Sequence, residues 1–311
     1  VMRKHVLFTN DVELTSIVNN TQSIETGKLV AEIGLPRLLS LYAEYNFKCT
    51  FFITADYAKS YHTSLKEIVK YGHEIGSHGA AHGHSDAFDR MSYAEQLSNL
   101  KSSKEMLEDI TGEEVISFRA PALRANANTP RALVEAGFKI DSSVASQRFD
   151  FFFSFGSKEK LSWLTAPRSP YYCSEASLAK RGSSELLEIP LISFLYPYIG
   201  TTLRISPLVT SMFRGLLNLE AGCRERYPVF LIHPNELISE IPDPRLWRRR
   251  SKGAIEHIFK EKLRTALKRR NLGENAAELL KRELDYFKIK SYRGIRLVDL
   301  YKMIAKEKAN E

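Results

Sequence analysis

The order of apolar and polar positions divides the first 240 residues into alternating strands and helices. His5–Asn10 alternates and is β-branched and aromatic enough for a strand. Thr26–Tyr45 sets Leu29, Val30, Ile33, Leu38, Leu41 and Tyr42 at helical spacing, with Pro36 predicting a kink or a restart. Lys48–Thr54, around Thr50-Phe51-Phe52-Ile53, reads as a buried strand. Leu65–Gly72 reads as a short helix and His73–Ser77 as a short strand. Ser92–Ile110 is the strongest helical pattern, with Ser92 at the N-cap and Gly112 beyond its end. Val115–Arg119 is the next strand. Thr129-Pro130 opens a helix that stops at Gly137, with proline in the first turn. Phe138–Asp141 and Pro228–His233 are further strands. Strand–helix alternation of this kind predicts an α/β fold with a parallel sheet, open or closed into a barrel.

Between residues 143 and 227 the rhythm breaks. The stretch is rich in aromatic and turn residues (Phe151-Phe152-Phe153, Pro170-Tyr171-Tyr172) and holds a second apolar region, Ile205–Leu219. It reads as an elaboration, residues 144–227, over one face of a core formed by 5–143 and 228–240. After Pro242 the pattern predicts helix to the end. At 311 residues all of this fits one large domain.

Composition narrows the class. Hydrophobic residues are 43% and charged residues 26%, which suits a folded globular chain. The longest near-apolar run, Leu186–Ile199, is broken by Glu188, Pro190 and Pro197 and is too short to span a bilayer. Cys49, Cys173 and Cys223 are odd in number and far apart, matching neither a disulfide framework nor a zinc-thiolate spacing. Without a signal-type apolar run after His5, the expected location is cytoplasmic, peripheral to the inner membrane face if membrane-associated.

The net charge of +8 is unevenly placed: residues 243–311 hold 20 basic and 10 acidic side chains, the remainder 25 and 27. This basic segment, with Trp247-Arg248-Arg249-Arg250 and Lys268-Arg269-Arg270, reads either as solvated helix faces or as a surface for anionic lipid or a phosphate-bearing substrate. No nucleic-acid reading motif accompanies it, which disfavours nucleic acid as a partner.

Four predicted strand ends carry chemistry. Asp11 and Glu13 follow the first strand, where α/β barrels place their sites, and the i, i+2 spacing points both one way if the chain stays extended. His78 and His82, four apart, would lie on one face of a helical turn and could chelate one cation, while His84 would face away. Arg119 closes another strand and could clamp a carboxylate. His233, between a buried strand and Pro234, is a candidate general acid or base. One carboxylate and two imidazoles make a catalytic divalent-metal set.

In their order these motifs resemble the polysaccharide deacetylases, carbohydrate esterase family 4. The resemblance rests on Asp11/Glu13, His78-Gly79-Ala80-Ala81-His82, Arg119-Ala120-Pro121, Gly137–Ser143 with Asp141, and Leu231-Ile232-His233, with a closing helix near Ile295–Ile304. It implies a distorted (β/α)7 barrel and amide hydrolysis on an N-acylated sugar. It further implies Asp11 as base, Arg119 orienting it, His233 as acid protonating the leaving amine, and Asp141 tuning that acid. Glu13, His78 and His82 would hold one divalent metal, zinc by default, with cobalt, manganese or nickel as substitutes.

The usual adjacent Asp pair is absent. One register, Asn10-Asp11, makes Asp11 a ligand; the other, Asp11-Val12-Glu13, makes it the base and Glu13 the ligand. Gly79 stands where the family has Ser or Thr. The favoured substrate is a cytosolic or prenyl-phosphate-linked sugar intermediate of surface-polysaccharide synthesis. The competing readings are a metal-free, allantoinase-like amidohydrolase and an inactive carbohydrate-binding barrel.

Overall fold

The computed structural model describes residues 4–83, 86–148, 158–223, 226–243, 245 and 263–310. Its fourteen strands are β1 His5–Val12, β2 Thr15–Ser16, β3 Thr21–Gln22, β4 Thr50–Ile53, β5 Glu74–Ser77, β6 Ser117–Phe118 and β7 Ile140–Asp141. They continue with β8 Ala145–Arg148, β9 Tyr171–Ser174, β10 Ser177–Arg181, β11 Leu187–Glu188, β12 Leu191–Pro197, β13 Val229–Ile232 and β14 Arg293–Gly294. The main sheet runs β10-β9-β11-β7-β6-β5-β4-β1-β13. Every pairing from β11 to β13 is parallel, so seven parallel strands form the barrel wall. β9 and β10 extend it antiparallel. Beyond β13 the chain leaving β12, which pairs with β8 in a separate two-stranded sheet, meets β13 at an isolated parallel bridge, Ile199 to Leu231. This is a distorted (β/α)7 barrel.

Two elements enter the barrel from segments the sequence pattern set apart. β11 lies inside the 144–227 stretch, yet it pairs in register with β7, Leu187 with Ile140 and Glu188 with Asp141. β14 lies in the C-terminal segment that reads as continuous helix, and it pairs with the start of β1. Both strands are two residues long, too short to leave a period-2 signature.

The helix layer follows its apolar stripes. Ile24–Leu29 and Leu35–Tyr45 are joined by a π-turn over Val30–Gly34, so the α-helix restarts at Leu35 with Pro36 in its first turn, where no N–H is needed. Tyr93–Thr111 starts with a reciprocal Ser92–Glu95 capping box and ends at Gly112 in the left-handed region. His62–Lys70 precedes β5, and an additional short helix, Ala55–Ser60, follows β4 directly. The closing helix, Leu297–Ala309, has its first turn anchored beneath the barrel: Leu297 N–H donates to Thr50 Oγ1 (3.0 Å) and Val298 N–H to Glu74 Oε2 (3.0 Å). Phe8 on β1 gathers Tyr42, Phe47, Phe230 and Phe287 at centroid distances of 5.5–5.9 Å, tying the wall to helices from both ends of the chain.

Several basic side chains of the C-terminal segment serve this packing. Arg269 donates to Val18 O, Lys281 pairs with Glu44 and Arg296 with Asp299. Trp247 and Arg248-Arg249-Arg250 lie outside the described residues, as do His84 and Phe151-Phe152-Phe153. Among the described residues no helix is long and apolar enough to cross a membrane.

Candidate active site

β1 stays extended through Val12, and this decides which side chains look inward. Thr9 and Asp11 face the interior, where Arg119 Nη1 donates to Thr9 Oγ1 (2.9 Å) and Asp11 Oδ1 (2.8 Å). Asn10 faces the helix layer, accepting from Tyr42 Oη (2.8 Å) and donating to Thr50 O (3.2 Å). Glu13, one step past the strand, is buried and reaches the two histidines. Asn10 is thus turned away from the histidines, which Asp11 and Glu13 approach from the two sides of Val12.

His78 and His82 do not sit on a helical turn. They lie in the loop after β5, with rings 5.8 Å apart. The Ala55–Ser60 helix pins this loop: Ala55 N–H donates to Gly79 O (3.0 Å) and Asp56 N–H to Ala80 O (2.9 Å). Gly79 has φ +73°, a conformation open to glycine at no steric cost. Local spacing brought the imidazoles together for a different reason than helix periodicity.

One ligand atom from each of Glu13, His78 and His82 lies within 4.8 Å of the others. Glu13 Oε2 is buried without a hydrogen-bond partner, 3.4 Å from His82 Nε2. His78 Nδ1 is held by Arg119 O at 2.7 Å, which places its proton there and leaves the Nε2 lone pair for the cluster. Burial holds the His78 imidazole below its ordinary value against the opposing pull of Asp11 and Glu13, so the neutral, ligating form is favoured. An orphaned carboxylate oxygen beside two oriented imidazoles fits a divalent cation. The Ala122 N–H also reaches this point, donating to His82 Nε2 (3.1 Å). Ala122 and Leu123 have φ of +52° and +54°, a backbone strain of about 1–3 kcal/mol each, held by the loop after β6.

Next to the cluster a carboxylate and a second imidazole face each other. Asp11 Oδ2 lies 3.8 Å from His78 Nε2 and 3.9 Å from His233 Nε2. Burial alone would raise the Asp11 carboxyl, but the Arg119 guanidinium, His78 and His233 outweigh it and hold it below the usual carboxylate range. Arg119 is itself fixed by Ser142 O (2.8 Å), Ser142 Oγ (2.9 Å) and the face of Phe52 (4.3 Å).

His233 shows the largest departure from the sequence reading. Its Nδ1 meets Glu236 Oε1 at 3.0 Å, its N–H donates to the same oxygen (3.1 Å), and the other Glu236 oxygen accepts from Arg204 Nε at 2.5 Å. Burial works against the charged imidazole, yet the Glu236 hydrogen bond and the charges of Asp11, Glu236 and Glu13 raise it to about 9. The carboxylate behind His233 is thus Glu236, in the turn just after it. Asp141 instead accepts from Ser143 Oγ (2.7 Å) and Ser143 N–H (3.1 Å), next to Glu188. The signal for Glu236 was present as its i, i+3 spacing from His233; Arg204, on the Gly200–Ile205 helix, carries no local signal.

The fold and site together set a cation-fitting triad beside a facing carboxylate and imidazole in a (β/α)7 barrel. The family model for polysaccharide deacetylase matches residues 26–140. A peptidoglycan deacetylase of Helicobacter pylori (strain ATCC 700392 / 26695) is 28% identical over 157 residues, covering 48% of this chain and 53% of that relative. This chain thus spans about half the length of that relative. Among solved structures, a Mycobacterium smegmatis protein assigned to the polysaccharide deacetylases superposes with a TM-score of 0.62 at 16% identity, covering 99% of this chain and 93% of that one. Puue allantoinase superposes at 0.59 and 17%, covering 95% and 89%. At such identities the superpositions speak for the fold. What the chain shares with the polysaccharide deacetylases is thus the matched segment, residues 26–140, and the barrel fold.

Proposed function

We propose that this chain removes the acetyl group from an N-acetylated sugar, with Asp11 as base and His233 as acid. The observation that carries the reading is the opposed tuning of two groups 3.9 Å apart: Asp11 held ionised by Arg119, His233 held protonated by Glu236. A charged carboxylate can take a proton from water as it attacks the amide carbon. The imidazolium can give its proton to the departing nitrogen, so the sugar leaves as an amine and the acyl group as a carboxylate. The Ala122 N–H, which donates to His82 Nε2 in this structure, would be freed for the amide oxygen when that nitrogen ligates a cation.

Glu13, His78 and His82 would hold a divalent cation, zinc by default for this donor set, with cobalt, manganese or nickel able to take its place. When bound, the cation supplies acidification of water and polarisation of the amide oxygen. The orphaned Glu13 oxygen favours this over a metal-free amidase, and the intact Asp11–Arg119 and His233–Glu236 pairs favour an enzyme over a binding barrel.

The H. pylori relative's name points to a peptidoglycan sugar as substrate. A finer reading, a prenyl-phosphate-linked sugar at a membrane surface, is supported by an apolar cavity of about 380 Å³ lined by Tyr198, Ile199, Ile205, Val209, Phe213 and Leu267. The test is metal content beside acetate release, wild type against His78→Ala. About one equivalent of a transition metal that vanishes in the variant together with acetate release supports the reading. No metal uptake by wild type on adding zinc overturns the metal half. Offering N-acetylated glycan oligomers and a lipid-linked N-acetyl sugar in parallel separates the two substrates.

A further inference from the structure

Glu188 is a buried carboxyl that the proposed chemistry does not use. The parallel register sets it directly beside Asp141 on the neighbouring strand, and both residues are fully buried. Two in-register side chains on adjacent strands point to the same face, so the carboxyl groups are forced together. Among the described residues neither takes part in an ion pair within 4 Å. Two ionised carboxylates in that position would repel in a site shielded from water.

The hydrogen bonds show how the pair is satisfied. Asp141 accepts twice from Ser143, at Oδ1 from Oγ and at Oδ2 from N–H, as a carboxylate does. Glu188 Oε1 accepts from Val144 N–H (3.1 Å), whereas no described donor reaches its buried Oε2. The remaining groups facing the pair do not supply that donor. The Tyr171 hydroxyl donates to Leu178 O (2.6 Å), Cys173 is buried and its thiol is pushed up to about 12, and the Arg119 guanidinium is occupied by Asp11, Thr9 and Ser142. An oxygen with no donor inside a carboxyl pair is accounted for when it carries its own proton and donates to its neighbour.

We propose that Glu188 is a positioning residue that keeps one proton against Asp141, and that this neutral–ionised pair fixes the Asp141–Ser143 turn beneath Arg119. The turn supports the site twice. Ser143 Oγ, which donates to Asp141, accepts from Ala120 N–H (2.9 Å). Ser142 Oγ, which donates to Ile189 O (2.7 Å), accepts from Arg119 Nη2. Strands β7 and β11 therefore hold both Arg119 and Ala120, the residues that orient Asp11 and lead into the Ala122 donor. The catalytic consequence rests on the proposed roles of Arg119 and Asp11; the shared proton does not.

The test uses the full chain and two variants, Glu188→Gln and Glu188→Ala. Infrared spectra at neutral pH should show the carbonyl stretch of a neutral carboxylic acid in wild type, shifted in heavy water and absent from Glu188→Gln. Glu188→Gln, which keeps size and a donor, should release acetate within about threefold of wild type with KM unchanged. Glu188→Ala should lower kcat about 10²-fold, the cost of ångström-scale misplacement of a catalytic group. A wild-type spectrum without the band, or a band that survives Glu188→Gln, overturns the proposal. So does Glu188→Ala with unaltered kcat. Should wild type release no acetate from any substrate offered, the proposed function fails, while the infrared band decides the shared proton on its own.

Discussion

Replacing Glu236 by glutamine removes one negative charge and almost no volume from behind His233. In the folded protein Glu236 Oε1 meets both the His233 ring and its main-chain N–H, and a raised value of about 9 for the imidazole follows largely from that carboxylate and from Asp11. A hydrogen bond to a charged partner is worth about 1.5–3 kcal/mol against about 0.5–1.5 kcal/mol for a neutral one. The difference, about 1–1.5 kcal/mol, is roughly one pH unit at about 1.4 kcal/mol per unit. Deacetylation that needs protonated His233 should fall in wild type as pH rises through about 9, and in Glu236→Gln through about 8. The same change leaves Arg204, buried at 2% side-chain exposure, without its carboxylate, which costs stability of about 3–5 kcal/mol less what Lys268 O and Arg270 O retain. The assay is acetate release against pH, read only over the range where circular dichroism shows the variant folded. An alkaline limb that stays where wild type has it, in a folded variant, would refute the assignment of Glu236 as the group that sustains the acid.

Three further outcomes follow from the same geometry. The stability of wild type should decline as pH rises from the ordinary histidine value through about 9: a raised folded-state value stabilises fully below the unfolded value and is lost above the folded one, here about 3 kcal/mol that His233→Gln would remove from a urea titration. Gly200→Ala should destabilise by about 1–3 kcal/mol in thermal melts, because its Cβ would stand 2.6 and 2.8 Å from the two Glu236 oxygens. Tyr42→Phe should cost about 1–3 kcal/mol by leaving buried Asn10 Oδ1 unpaired, with kcat unchanged since Asn10 faces the helix layer; Asp11→Asn should cut kcat about 10²–10⁴-fold and, by leaving buried Arg119 without its carboxylate, also lower stability by about 3–5 kcal/mol less what Thr9 and Ser142 retain.

What the sequence disclosed and what it withheld divide along a physical line. Asp11, Glu13, His78, His82, Arg119 and His233 stand at strand ends or just after them, so apolar runs followed by polar residues mark them, and the structure brings all six together. Glu236 and Arg204 acquire meaning through contacts: one lies in a 3-10 turn, the other 32 positions away on a six-residue helix. Asp141 bears a family motif, but the side chain that faces it, Glu188, is fixed by strand register and sits in a stretch whose two-residue strand has no periodicity to read. β14 escaped notice for the same reason. The histidine pair was found by spacing even though the loop is held by the Ala55–Ser60 helix, an element the apolar pattern left unassigned between Thr54 and Leu65.

The isolated bridge between Ile199 and Leu231 gives the barrel a seam. Along the seven-stranded wall adjacent strands are paired in register, most thinly at the single Ser77–Phe118 pair between β5 and β6, whereas β13 has no ladder on its far side. At the seam there is one bridge. Strand β13, which delivers His233, is therefore joined firmly to β1 on one side and loosely on the other. Amide exchange should register this as earlier opening at Ile199 than at Leu7–Asn10. The barrel can therefore give way on the far side of β13 while the β1–β13 pairing, which sets Asp11 beside His233, stays intact.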